Sequence, residues 1–470
     1  MEELMPEIKQ WVKDHQNEMV KDIIRLVNIK SVSEPGEGGY SMGLGCKKCV
    51  DEFIELGKTY GFETENDDYY CASILSPGKT KKELGILGHL DVVPEGEGWH
   101  YEPYNAVERE GYIIGRGSSD NKGAVVMSLY VLRCMNDLGI HLNHTLRLIG
   151  GCNEESGMKD VEHYLKGHIP PEYTIVCDGG WAMCIGEKGI LTADLIMEIN
   201  SENLLELEGG IMSNAVPASA YAVLRNVPVE HLNKLRKEQL DVEVENKDGD
   251  VTVRVRGKAA HAFIPHTGEN AIYKLLNILY DYELCDRNTL KKLDDLRNCF
   301  TDDYGSGLHI NFSDELSGPT TCVGGMIRLD KGFIRQNINV RYAIKQSNEE
   351  LLKQLKQRCD SLRIKIENLD YSAPRYTSVD HPVTQMLLKT CKELLEEQYE
   401  PYVMGGGTHA RKFPNALPYG PNVMSGFVNP FGCGHGVDEA VCIEHLTQTI
   451  PVYIKALCQL DDYFSESKHI

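Results

Sequence analysis

The chain has 470 residues, enough for two or three domains that each bury a core, and its 41% hydrophobic and 25% charged residues are ordinary for a soluble globular protein. A formal charge of −21 repels phosphate backbones and excludes nucleic acid as a natural partner. No window approaches about 18 uninterrupted apolar residues, which excludes a membrane helix. In chain order, "MEELMPEIKQWVKDHQNEMV" is charged throughout, unlike a signal peptide. With 15 cysteines, an odd number scattered along the chain, this implies a reduced, cytoplasmic protein.

Residues 5 to 28 carry Ile8, Trp11, Val12, Val20, Ile23, Ile24 and Val27 at helical spacing. The loop "SVSEPGEGG" follows, then a helix near 45 to 60. That helix holds a CxxC, Cys46 and Cys49, in "GLGCKKCVDEFIELG". The pair is solitary, lies in an amphipathic helix and has no thioredoxin-like surroundings, so it reads as packing rather than as a metal or redox site. "YYCASIL" and "LGILGHL" read as strands, "NKGAVVMSLYVLRCMNDLG" as a helix, "HTLRLIGGCNE" as a strand, "GMKDVEHYLKG" as a helix and "YTIVCD" as a strand. Apolar strands alternating with helices imply an α/β domain with a mostly parallel sheet and helices on both faces. Ligands of such sheets bind beyond the carboxyl ends of the strands.

Past about residue 184 the pattern changes. "VTVRVRGKA" and "FIRQNINVRYAI" alternate with period two, as half-exposed antiparallel strands do. "ENAIYKLLNILYDYEL" and "SNEELLKQLKQRCDSL" read as helices, the second with Ser347 as N-cap. This predicts an α+β domain over 184–379, inserted into a domain made of 1–183 and 380–470. The latter resumes with the helix "HPVTQMLLKTCKELLEEQY" and ends on a long helix after Val437.

Polar residues end several of the apolar runs: His89 and Asp91 in "GHLD", Asp120 in "GRGSSDNKG", Glu154 and Glu155 in "GGCNEESG", Asp178 in "IVCDGG" and His435 in "GCGHGVDE". Each alone has a plain explanation as a helix cap, a solvated helix start or a surface histidine. As a set at one sheet edge, the acidic groups would repel one another and shift each other's pKa values, a cost that divalent cations remove. Imidazole with carboxylate suits zinc, manganese or cobalt rather than magnesium or calcium. Two histidines with three or four carboxylates exceed one tetrahedral ion and suit two ions roughly 3.5–4 Å apart.

The ordered motifs "GHLDVVP", "GRGSSDNKG", "NEESG", "HAFIPHTGENA" and "GHGVDE" resemble those of the co-catalytic metallopeptidases, a family that includes aminoacylases, succinyl-diaminopimelate desuccinylase, carnosinases and PepV-type dipeptidases. The resemblance spans nearly the whole chain and is nearest to the PepV-like dipeptidases. It implies hydrolysis of dipeptides by a hydroxide bridging two zinc or manganese ions. On this resemblance His89 and His435 each bind one metal, Asp120 bridges both, and Glu155 and Asp178 complete one shell each. Asp91 accepts the other ring N–H of His89, and Glu154 is the general base. A non-proline cis peptide after Asp120 is also implied. His261 serves the developing oxyanion, and Asn214 lies near that oxygen or the substrate. Arg341 and the glycine loop "GGGTHAR", with Gly406, Gly407 and Thr408, take the substrate's carboxylate. His409 of that loop receives no role. A long insert that supplies His261 in cis implies a monomer whose lid closes over the substrate.

Within the same mechanism, the alternative is an N-acyl or N-succinyl amino acid deacylase, since the metal motifs do not report whether the substrate's amine is free. A non-catalytic member would have lost Glu154 or a ligand, and all are present. Cys152 and Cys177 each follow a strand that delivers a site residue. If those strands are neighbours the two sulfurs come within disulfide reach; the alternative is two small buried apolar side chains.

Overall fold

The computed structural model describes residues 2–239, 242–395, 398–423 and 428–466. The chain forms two compact units: Met1–Ile185 with Thr377–Tyr402 and Gly407–Ile470, and Gly186–Tyr376 with Val403–Gly406.

In the first unit, helix α1 (Met5–Val27) buries Ile8, Trp11, Val12, Val20, Ile23 and Val27, the stripe visible in the sequence. Helix α2 (Leu44–Thr59) turns Cys46 and Cys49 into the core with Val50 and Phe53. Strands β1 (Glu63–Asp67), β2 (Cys71–Ser76) and β3 (Glu83–His89) follow. Then come helix α3 (Gly123–Asp137), strand β4 (Thr145–Gly151), helix α4 (Lys159–Gly167) and strand β5 (Tyr173–Val176). With strand Ala416–Pro418 these five strands make a sheet ordered β1-β2-β4-β3-β5-(Ala416–Pro418). β3 runs parallel to β4 and β5, and Ala416–Pro418 runs parallel to β5. The β1–β2 hairpin adds an antiparallel edge. β3 is buried from Leu84 to His89, as a central parallel strand covered on both faces must be. Helix α3 is apolar nearly all round and buried from Gly123 to Met135.

The strand order decides between the two readings of Cys152 and Cys177 in favour of two small buried side chains. β3 lies between β4 and β5, so Cys152 and Cys177 follow strands two spacings, about 9.6 Å, apart. That exceeds the Cα separation of a disulfide, roughly 4.4–6.8 Å. Cys152 lies instead beside α2, where the Cys46 thiol donates to its carbonyl at 3.8 Å.

The second unit is built on an eight-stranded antiparallel sheet. Strand Asp250–Arg256 buries every second residue, with Val251, Val253 and Val255 inward. The core between this sheet and its helices includes Leu195, Leu275, Ile338, Val340 and Leu355. Helix Asn348–Ser361 starts on Ser347, whose hydroxyl accepts the Glu350 amide. Among the described residues no helix is long and apolar enough to cross a membrane.

The last helix, Ile443–Glu466, is tied to the start of β4 by one buried carboxylate. Asp461 accepts the amides of Asn143 (2.9 Å) and His144 (2.8 Å), the Asn143 side chain (3.0 Å) and the His144 ring (2.7 Å). Burial alone would raise its pKa; these donors outweigh burial and hold it below the ordinary value. Asp461→Ala is expected to destabilise the first unit by about 2–3 kcal/mol in denaturant titration. Because the carboxyl pKa is depressed on folding, the difference between variant and wild type should be full above about pH 5 and shrink as pH falls through the folded value.

Candidate metal centre

The site lies where β3, β4 and β5 end, in the first unit. β3 stops at His89, whose ring is fully buried. Its Nδ1 is 2.9 Å from the Asp91 carbonyl, an acceptor only, so Nδ1 carries the proton and donates. Nε2 then points at the Asp120 carboxylate, 2.9 Å from Oδ1, with Asp178 Oδ2 at 4.0 Å. Asp120 Oδ2 lies 3.2 Å from His435 Nε2, which is also 3.0 Å from Glu155 Oε1. One carboxylate thus faces both imidazoles, one through each oxygen. Glu154, His89 and Asp178 offer ligand atoms within 4.8 Å of one another, as do His89, Asp120 and Glu155.

Buried acceptors hold the backbone that carries these groups. Asp120 sits in the turn Ser118–Lys122, and its peptide to Asn121 is cis, as the resemblance implies. Glu439, fully buried, accepts the amides of Ser119 (3.0 Å) and Asp120 (2.9 Å) on one oxygen and pairs with the buried Arg116 through the other. Arg116 also donates to the carbonyl of His435, so a single ion pair steadies both Asp120 and His435. Asn121 accepts the His89 amide and donates to the Cys177 carbonyl, tying the ends of β3 and β5. A side chain at Gly88 would strike Asn121 Oδ1 and Cys177 Sγ at 2.4 and 2.7 Å, so this crossing requires glycine.

Asp91 lies beside His89 and also serves the neighbouring loop. Its carboxylate is 3.6 Å from His89 Nδ1, while its two oxygens accept the amides of Glu154 and Glu155, each at 3.1 Å. The imidazole is oriented by the Asp91 backbone, and the Asp91 side chain sets the Glu154–Glu155 loop. The preceding amide, Asn153, donates to Asp160 at 2.9 Å. The sequence singled out none of Asn121, Asp160 or Glu439, and Arg116 and Glu439 stood unremarked inside quoted motifs. Lone acids that bond to backbone amides carry no spacing signal.

The electrostatics test whether a metal fits. Burial pushes Glu154 well above the ordinary carboxyl range, and Asp178, Glu155 and Asp120 add to that. Burial and then Asp120 raise Glu155 to about 7. Hydrogen bonds to Asp120 and Glu155 lift His435 to about 11. Against burial, Asp120 and Asp91 lift His89 well above its usual value. Four carboxylates around two imidazoles draw in positive charge, and imidazole nitrogen with carboxylate oxygen is a donor set for a divalent transition ion. The residues fit the group.

In the second unit, His261 pairs across a short two-stranded ribbon with Ala215, and the Ala262 amide donates to the Asn214 carbonyl at 2.9 Å. The ribbon brings His261 and Asn214 together. Arg341 is buried, bonded to Asn339 Oδ1 (2.8 Å) and to the Gly405 carbonyl (3.1 Å) at the start of the glycine run.

Replacing Glu439 with alanine leaves two amides and a buried guanidinium without their acceptor. Glu439→Ala is expected to retain the fold and lose metal affinity by about 10–100-fold, measured by calorimetric titration of metal into the stripped protein.

The chain is 28% identical over 470 residues to a Staphylococcus epidermidis protein named "Putative dipeptidase", covering 96% of this chain and 99% of the relative. It is also 28% identical over 460 residues to "Putative dipeptidase YtjP" of Bacillus subtilis, covering 95% and 97%. Two solved structures share the fold over 98% of this chain and 99% of theirs, each at 14% identity. They are human carnosine dipeptidase 1, with a TM-score of 0.58, and Dug1p of Saccharomyces cerevisiae, with 0.59. The profile of Peptidase family M20/M25/M40 matches residues 85–459, from β3 into the last helix. The chain therefore belongs to Peptidase family M20/M25/M40, as a metal-dependent hydrolase of peptide bonds.

Proposed function

We propose that the chain is a dipeptidase working with two divalent cations, zinc or manganese, which share this donor chemistry. The observation that carries this reading is Asp120, with Oδ1 2.9 Å from His89 Nε2 and Oδ2 3.2 Å from His435 Nε2. A carboxylate facing two imidazoles suits two ions better than one. His89 and Asp178 would hold one ion, His435 and Glu155 the other, and Asp120 both. When bound, such ions supply Lewis acidity and make water acidic enough to lose a proton near neutral pH.

The chain's own residues do the rest. Glu154 takes the proton of the attacking water and returns it to the leaving amine nitrogen as the C–N bond breaks. His261 donates to the carbonyl oxygen as charge develops there, with Asn214 beside it. Arg341 and the segment Gly406, Gly407 and Thr408 bind the terminal carboxylate. The bond from Arg341 to the Gly405 carbonyl supports this pairing, because it orients the guanidinium beside the glycine run. Relatives named dipeptidases along nearly the whole chain favour a free dipeptide over an acylated amino acid as substrate. A reducing compartment such as the cytoplasm, implied by the odd number of cysteines scattered along the chain, is part of this reading. The active form on this reading is a monomer, which light scattering can test.

The deciding experiment strips the protein of metal, reloads it with zinc or manganese and offers free dipeptides, tripeptides, N-acetyl and N-succinyl amino acids together. Mass spectrometry should find only the dipeptides cut; cleavage of the acylated amino acids would move the function to deacylation. Glu154→Ala should keep both ions and lose turnover by about 10²–10⁴-fold. His261→Ala should lose turnover by about 10²–10³-fold without losing metal; loss of metal would refute its assignment to the oxyanion.

A further inference from the structure

Asp160 and His409 form a fully buried pair that the reading above leaves without a task. His409 Nε2 lies 3.0 Å from Asp160 Oδ2. The same oxygen accepts the Asn153 amide at 2.9 Å, and Oδ1 accepts the Val161 amide at 2.8 Å. Asp160 stands in the first turn of α4, and His409 opens the turn His409–Arg411, capped by the Thr408 hydroxyl on the Ala410 amide. The pair therefore joins the amide just before Glu154 to the residue just after Thr408, across 249 positions of sequence. It sits directly behind the metal centre, with the His409 ring edge-on to that of His89 at 6.3 Å between centroids. β4 ends in glycine to admit it, since a Cβ at Gly151 would meet Asp160 Oδ2 at 2.2 Å and His409 Cε1 at 2.9 Å.

A buried polar pair is a poor source of stability, because well-packed apolar residues do as well or better. What this one offers is a fixed geometry between two loops. We propose that Asp160 and His409 are a positioning pair that fixes the spacing between Glu154 and the Gly407–Thr408 segment, and so sets the length of peptide that is cut. The proposal rests on the dipeptidase reading, in which that segment binds the terminal carboxylate while Glu154 serves the scissile bond. One further residue in the substrate displaces its terminal carboxylate by about 3.5 Å, which a rigid link between the two loops does not accommodate.

The test compares His409→Leu, which removes the donor, with His409→Gln, whose amide nitrogen reaches roughly the place of Nε2. Each is assayed for metal content, thermal midpoint, and kcat and KM on a dipeptide and the matching tripeptide. Hydrogen exchange is followed in peptides covering 151–158 and 405–411. His409→Leu should keep its metal, lose about 10–100-fold in kcat on the dipeptide with little change in KM, and narrow the dipeptide-to-tripeptide preference about tenfold. Exchange should rise in both segments together, and His409→Gln should restore most of each property. A folded, metal-loaded His409→Leu with an unchanged preference overturns the proposal, as does faster exchange around residue 409 with 151–158 unaffected. If His409→Leu does not fold, the isosteric Asp160→Asn decides by the same readouts. A wild type that cuts no dipeptide would overturn the dipeptidase reading, while the exchange data would still judge the link.

Discussion

The site depends on buried carboxylates that accept backbone amides. Glu439 takes the amides of Ser119 and Asp120, Asp91 those of Glu154 and Glu155, and Asp160 that of Asn153. An ionised acid out of water is costly unless hydrogen-bonded, and bonds to charged acceptors are about twice as strong as neutral ones. Each acid therefore fixes its loop firmly, because letting the amides go would leave a bare buried charge. The turn of Asp120 and the loop of Glu154 and Glu155 have no regular hydrogen-bond ladder, so these acids supply what a ladder would.

The arrangement divides the acids by environment. Against burial, Asp160 is held below its usual pKa by His409 and two backbone amides, so it stays charged and keeps its grip. Glu154 and Glu155 are half-buried, their carboxylates are left mainly to one another, Asp120 and the two imidazoles, and both are pushed up. Against burial, hydrogen bonds to His435 and His89 hold Asp120 low, while burial and Asp120 push the amide-bonded Glu439 up. Partners set the direction: Asp160 and Glu155 lie a few residues apart in the chain and shift opposite ways.

Much of this was legible in the sequence, for identifiable reasons. Helix α1 and strand Asp250–Arg256 follow apolar periodicities of 3.6 and 2, and both elements formed as read. The converging residues from His89 to His435 were visible because they end apolar runs, and sheet topology requires such ends to share an edge. Strand order was not visible. Nothing local to "HTLRLIGG" and "YTIVCD" says that β3 lies between them, so the conditional Cys152–Cys177 contact could be judged only once the order was known. Nor were the amide donors to the Asp91 carboxylate visible, since they are 63 and 64 residues away.

That last silence has a physical cause. Side chains that meet side chains leave paired letters, such as a histidine and an aspartate two apart. A side chain that meets the backbone leaves one letter, because its partner is an amide every residue but proline possesses. Asp160 reads as an ordinary acid in the first turn of a helix, a common place for one given the helix dipole. Its difference lies in a histidine 249 residues away and in a glycine that makes room for both. The glycine is the more telling mark. Gly88 and Gly151 lie at the ends of central strands, where glycine weakens pairing and leaves no side chain to pack, and each is there because a polar side chain crosses the strand at that point. Glycine at the C-terminal tip of a buried parallel strand thus marks where a functional loop is held from behind.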